Sequence, residues 1–130
     1  MAPRAIAIGT DCPAINVTDL TTVADQLEQH DLAIGPSADG GYWSLGVANH
    51  AAIDCSCAAD LPWSQPHLRR ETHARAEQQH LSIASGPQLD DLDTAADWQR
   101  AMDLGLLDPI TIPPQPPCSA PDPRISASRP

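Results

Sequence analysis

At 130 residues the chain has the length of one ordinary domain. Its hydrophobic share of 42% permits a packed core, built without Phe from Ile, Leu, Val, Ala and three Trp. Seven basic side chains, all Arg, stand against 17 acidic ones, and the net charge of −10 excludes nonspecific binding to DNA or RNA, whose phosphates would be repelled. A nucleotide held through a divalent cation remains compatible with that charge.

Met1-Ala2-Pro3-Arg4 leads into an apolar run too short for a secretory signal, and no stretch has the length of a membrane span. The expected setting is the cytoplasm, with Cys12, Cys55, Cys57 and Cys118 as reduced thiols. Cys55-Ser56-Cys57 near His50 lacks the spacing of a zinc knuckle and reads as a small-residue loop.

Ala5–Ile8 is a continuous apolar run, the pattern of a strand buried on both faces of a parallel sheet. It ends at Gly9-Thr10-Asp11-Cys12-Pro13, which puts Asp11 at a strand's carboxyl end, where open α/β sheets bind ligands. Thr18 is read as the N-cap of a helix with Leu20, Val23, Ala24 and Leu27 on its apolar face, ending near Gln29-His30. Asp31–Gly35 and Tyr42–Val47 read as strands.

Between those two strands lies Gly35-Pro36-Ser37-Ala38-Asp39-Gly40-Gly41-Tyr42. Its paired glycines permit positive φ and close approach of another group, and Asp39 sits directly before them. A plain hairpin turn is the competing reading. Ala48–Leu61 reads as irregular. Ser64 is expected to cap a polar surface helix over Gln65–Gln79, with His67, His73 and His80 facing solvent. Leu81–Ala84 is a short strand, and Asp90–Asp93 an acidic loop. Thr94 and Asp97 form a capping box for a helix over Ala95–Leu104, with Trp98, Ala101 and Met102 on one face and Gly105 at its end. Residues 1–107 form the domain, and the Pro-rich stretch 108–130 reads as a disordered tail.

The acidic features gather after strands, at Asp11, Asp39 and Asp91/Asp93. Carboxylates from different strand ends can converge on one Mg²⁺ or Mn²⁺, which takes oxygen ligands and substrate phosphates. Each of these Asp residues also has a bland reading as a turn or cap.

Gly9-Thr10-Asp11-Cys12-Pro13, Gly35 to Trp43 including Asp39-Gly40-Gly41, Leu61-Pro62-Trp63-Ser64 and Asp91-Leu92-Asp93-Thr94 occur in this order at fitting distances. Together they resemble the GT-A-type glycosyltransferase-like family associated with arsenosugar biosynthesis, formerly a domain of unknown function and related to the nucleotidyltransferases of molybdenum-cofactor pathways. The resemblance covers about Ala5 to Leu104. It implies an α/β fold of the nucleotide-diphospho-sugar transferase kind, with a mixed sheet and flanking helices. It implies metal ligation by Asp11 with Asp91 or Asp93, and a catalytic role for Asp39. Gly40, Gly41 and Tyr42 would line the acceptor or sugar site, with Trp63 and Ser64 on its wall. Trp43 is a mild departure from the family pattern. Ala95-Ala96-Asp97 is another, standing where relatives have Pro-Glu-Asp.

The resemblance reaches only the later part of the family's domain. Family members begin with a strand and a Gly- and basic-rich loop that hold the nucleotide, and the expectation is that this N-terminal part is missing. The leading functional expectation is a metal-dependent glycosyltransferase that uses a nucleotide sugar and a small-molecule acceptor. One alternative is a nucleotidyltransferase. Another is a noncatalytic remnant or a half-domain that depends on an upstream chain or on self-association to cover an open sheet edge.

Overall fold

The computed structural model describes residues 4–107, so the predicted tail 108–130 and Cys118 lie outside the described residues. Four strands, β1 (Ala5–Ile8), β2 (Leu32–Pro36), β3 (Tyr42–Val47) and β4 (Ile83–Ser85), form one sheet in the order β1-β3-β2-β4. β3 runs antiparallel to both β1 and β2, and β2 runs parallel to β4. The mixed α/β sheet expected for the fold is present, but β1 is not the doubly covered strand that its apolar run suggests. It sits at the sheet's edge with Ala5, Ala7 and Ile8 exposed. An Ala/Ile run fits a buried centre or an edge equally well, because the neighbours that cover it are not written in the run itself.

β2 is one of two inner strands and is buried from end to end. Its alternation sorts two cores. Leu32 and Ile34, with Leu45 and Val47 of β3, pack on α2 (His50–Ser56) and α3 (Leu68–Gln78) through Ala52, Cys55 and Ala76. Ala33 on the opposite face packs with Trp43, Cys12, Val23 of α1 (Val17–Gln26) and Leu27, the residue that caps its end.

Tyr42, not Trp43, shares the core of Leu45 and Val47, the reverse of simple alternation, because the strand is irregular there. Gly35 pairs with Ser44 and Pro36 with Tyr42, which leaves Trp43 unpaired on β2, a bulge. The bulge ties three segments together. The Trp43 carbonyl accepts from Gly9 N–H (2.8 Å), and its indole N–H donates to the Pro87 carbonyl (2.9 Å). A side chain at Gly35 would collide with the indole, so that glycine is fixed by the close approach of Trp43.

Each helix departs from expectation in one respect. α1 starts two residues earlier: Asn16 caps it and forms a reciprocal box with Asp19, so Thr18 lies inside the helix and Ala24 is exposed. The stretch read as irregular contains α2, a seven-residue helix capped by Asn49. α3 begins at Leu68 without a side-chain cap, and Ser64 is not its N-cap but a left-handed residue at φ 60°. α4 (Ala95–Asp103) has the expected Thr94/Asp97 box and Gly105 beyond its end, but only Ala101 of its apolar face is buried, while Trp98 and Met102 are exposed. No described helix is long and apolar enough to cross a membrane.

Candidate functional site

The loops after β1 and before α4 meet. Leu92 N–H donates to the Asp11 carbonyl (2.9 Å), while Gly9 and Pro87 are both held by Trp43. The absence of a side chain at Gly9 matters, because a Cβ there would stand 3.0 Å from Asp11 Oδ1. As a result one carboxylate oxygen from each of Asp11, Asp91 and Asp93 lies within 4.8 Å of the others. The three residues the sequence offered as metal ligands are thus brought together.

Their electrostatics are unfavourable without a counter-ion. Partial burial pushes the Asp91 carboxyl above its ordinary pKa, and the negative charges of Asp39, Asp93 and Asp11 push it further. An all-oxygen, all-anionic donor set of loop carboxylates fits a hard divalent cation such as Mg²⁺ or Mn²⁺. A small cavity of about 150 Å³ adjoins the cluster, lined by Ala38, Asp39, Asp90, Asp91, Asp93, Asp97 and Arg100.

Asp39 faces this cavity from the β2–β3 loop. Its Oδ1 accepts from Ser37 Oγ (2.6 Å) and from Gly41 N–H (2.9 Å), and Oδ2 takes part in neither bond. Those two hydrogen bonds, with Arg69 nearby, hold its pKa below the usual carboxylate range. The loop is clamped from behind. Arg69 N–H donates to the Gly40 carbonyl (3.0 Å), and Arg69 Nη1 donates to the Ser37 carbonyl (3.2 Å).

The remaining predicted site residues are placed elsewhere. Gly40 has φ +93°, and a side chain there would run into the Pro66 carbonyl. Its freedom serves the packing of the loop against the lead-in to α3. Gly41 has no such conformation and contributes its N–H to Asp39. Tyr42 points into the α2/α3 core, where burial raises the pKa of its hydroxyl. That hydroxyl stands beside Thr72, whose own hydroxyl is committed to Leu68, and finds no hydrogen-bonding partner among the described residues. Trp63 is exposed and donates its indole N–H to the Ala58 carbonyl (3.1 Å). Neither it nor Ser64 lines the acidic cavity. The sequence reading missed Asp90, Asp97 and Arg100 as lining residues. Asp97 had been accounted for as a helix cap, and Arg100 follows it at i+3, the spacing that puts both on one helix face.

The fold and this site define a class, the nucleotide-diphospho-sugar transferase fold. Among solved structures the chain is similar to a candidate nucleotide-diphospho-sugar transferase from Desulfovibrio desulfuricans G20, with 25% identity and a TM-score of 0.62 over 70% of this chain. The match spans 39% of that protein's chain. A family described as "Uncharacterized protein conserved in bacteria (DUF2064)" matches residues 1–65, half of the sequence, and the chain belongs to that family. A search of curated proteins finds no match.

Proposed function

We propose that the chain carries the metal-holding and acceptor side of a GT-A-type glycosyltransferase that uses a nucleotide-sugar donor. The observation that carries this reading is the convergence of Asp11, Asp91 and Asp93 to within 4.8 Å, with Asp39 across the same small cavity. Asp11, Asp91 and Asp93 would hold the Mg²⁺ or Mn²⁺. When bound, such an ion neutralises the charge of a diphosphate leaving group. Asp39, kept ionised by Ser37 and Gly41, accepts the hydrogen bond of an acceptor hydroxyl. It takes that proton as the acceptor oxygen bonds to the anomeric carbon and the bond from that carbon to the diphosphate oxygen breaks.

The test is Mn²⁺ binding read by electron paramagnetic resonance, followed by product analysis with a radiolabelled nucleotide sugar. Asp11→Asn is expected to weaken Mn²⁺ binding by about tenfold or more, since it removes one charged ligand of three. Unchanged Mn²⁺ binding in Asp11→Asn would sink the metal assignment. Transfer of label as sugar supports glycosyl transfer, and transfer as nucleotide supports the nucleotidyltransferase alternative.

A second reading, a half-domain completed by another chain, is favoured by β1. That strand pairs only with β3 among the described residues, and Ile8 at its end is 50% exposed. Absence of nucleotide binding by the isolated chain with either metal would favour it.

A further inference from the structure

Beside the acidic cavity lies a larger, half-open one of about 320 Å³, bounded by α4 and the loops that follow β1 and β4. Pro13, Ala14, Leu89 and Leu92 form one wall, and Ala101 and Leu104 the other. The volume is that of a small-molecule site, and such walls favour apolar surface. Its polar lining is confined to a few groups, and Asp90, Asp91, Asp97 and Arg100 line both cavities. A molecule seated against the apolar walls therefore presents its polar end to the carboxylates of the acidic site.

The charge at that junction selects what the polar end can be. Among the described residues Arg100 is the one cation lining either cavity, and it is already engaged by Asp97 (3.4 Å) and by Asp90 (3.9 Å). With Asp91 committed to the divalent cation, a phosphate or carboxylate placed there would still face Asp90 and Asp97, with no uncommitted basic side chain lining the cavity among the described residues. A hydroxyl meets no such repulsion and can donate to a carboxylate.

We propose that this cavity takes the apolar body of an uncharged, hydroxyl-bearing acceptor, with the hydroxyl directed toward the Asp39/Asp91 side. The proposal deepens the transferase reading and rests on it for the word acceptor. It favours transfer to a neutral alcohol over transfer to a phosphorylated acceptor.

The test is an amide NMR titration of the full chain with benzyl alcohol and with benzyl phosphate, which share one apolar body, each with and without Mg²⁺. Benzyl alcohol is expected to shift the amides of Ala14, Leu89, Leu92 and Ala101, and benzyl phosphate to bind about tenfold or more weakly because of its charge. Ala101→Phe fills the cavity and should abolish the alcohol shifts. Ala101 is buried, so Leu104→Trp serves as a second variant. Leu104 is 68% exposed, and the larger ring narrows the mouth without burdening the core. No shift with benzyl alcohol, equal binding of the phosphate, or alcohol binding unchanged in both folded variants would overturn the proposal. Mg²⁺ binding is followed in the same samples through the amides of Asp11 and Asp93. Alcohol shifts that persist where Mg²⁺ fails to bind support the cavity's ligand class and count against the transferase reading. Mg²⁺ binding without alcohol shifts counts against the cavity alone.

Discussion

A single glycine separates the turn reading of the central loop from the ligand-cradle reading. Gly40 alone of the pair is left-handed, and its missing side chain faces Pro66 rather than the acidic cavity. Gly40→Ala is therefore expected to destabilise the fold by about 2–3 kcal/mol, combining backbone strain with the collision, and Gly41→Ala by about 1 kcal/mol or less. Urea unfolding of the two variants checks the contrast. Asp31 offers a second test. It accepts from Ser82 N–H (2.8 Å), Ser82 Oγ (2.7 Å) and Asn49 Nδ2 (2.6 Å), pinning the start of β2 to the segment before β4 and to the α2 cap. The Ser82 bonds above all hold its pKa down. A carboxyl with a lowered folded pKa stabilises above its unfolded value, about 3.9, and loses that contribution as pH falls through the folded one. Asp31→Asn should cost about 1–2 kcal/mol at pH 7, with the gap from the parent protein closing below about pH 4. A gap independent of pH would show that shape, not charge, is what Asn disrupts. At this scale the carboxylates Asp11, Asp91 and Asp93 were legible because they lie in short acidic loops bracketed by recognisable elements, β1 before Asp11 and α4 after Asp93. The direction of Tyr42 was not, because a one-residue bulge at Trp43 reverses the side-chain alternation and leaves no mark in residue type.

Helix ends show how far local chemistry carries. α3 and α4 close with the same hydrogen-bond pair. Leu81 N–H donates to Ala76 and His80 N–H to Glu77, just as Leu106 N–H donates to Ala101 and Gly105 N–H to Met102. Both motifs need a left-handed residue one past the cap. α4 has Gly105 there at φ 68°, but α3 has His80 at φ 57°. His80→Gly should relieve that strain and raise stability by about 0.5–1 kcal/mol, net of the extra entropy glycine gives the unfolded chain. A lowered urea midpoint would instead assign the His80 side chain a stabilising contact. The same reasoning explains what could be read in advance. The Thr94/Asp97 box and Gly105 bracket α4 by residue type alone. α3 carries neither signal, and its start at Leu68 is set by packing: Leu68, Thr72 and Ala76 are its buried residues. α2 has only seven residues, too few for a helical period to stand out of a small-residue stretch, and its Asn49 cap is the one local cue.

For the molecule as a whole, the strand–helix–strand order was legible and the pairing was not, since strand order depends on which distant segment each edge meets. β1 and β2 are parallel, as a crossover requires, yet β3 inserts between them. That places β1 outermost, and its hydrogen-bond phase is fixed by the bond from Gly9 N–H to the Trp43 carbonyl. Because antiparallel pairs alternate, Ala5 and Ala7 direct their N–H groups toward β3, and Ile6 and Ile8 direct theirs outward. An outward row of backbone groups with no partner among the described residues, beside an exposed Ile8, is a template for another strand. Ile8→Pro removes one outward N–H without breaking a ladder bond, so it should change stability by about 1 kcal/mol or less while blocking any strand added at this edge. Sedimentation equilibrium is expected to show concentration-dependent association of the parent chain and a monomer for Ile8→Pro. Hydrogen exchange at Ile6 and Ile8 should slow with rising concentration in the parent only. A parent chain that stays monomeric, with both amides exchanging freely at every concentration, would mean that β1 is left to water and would remove the support for self-association.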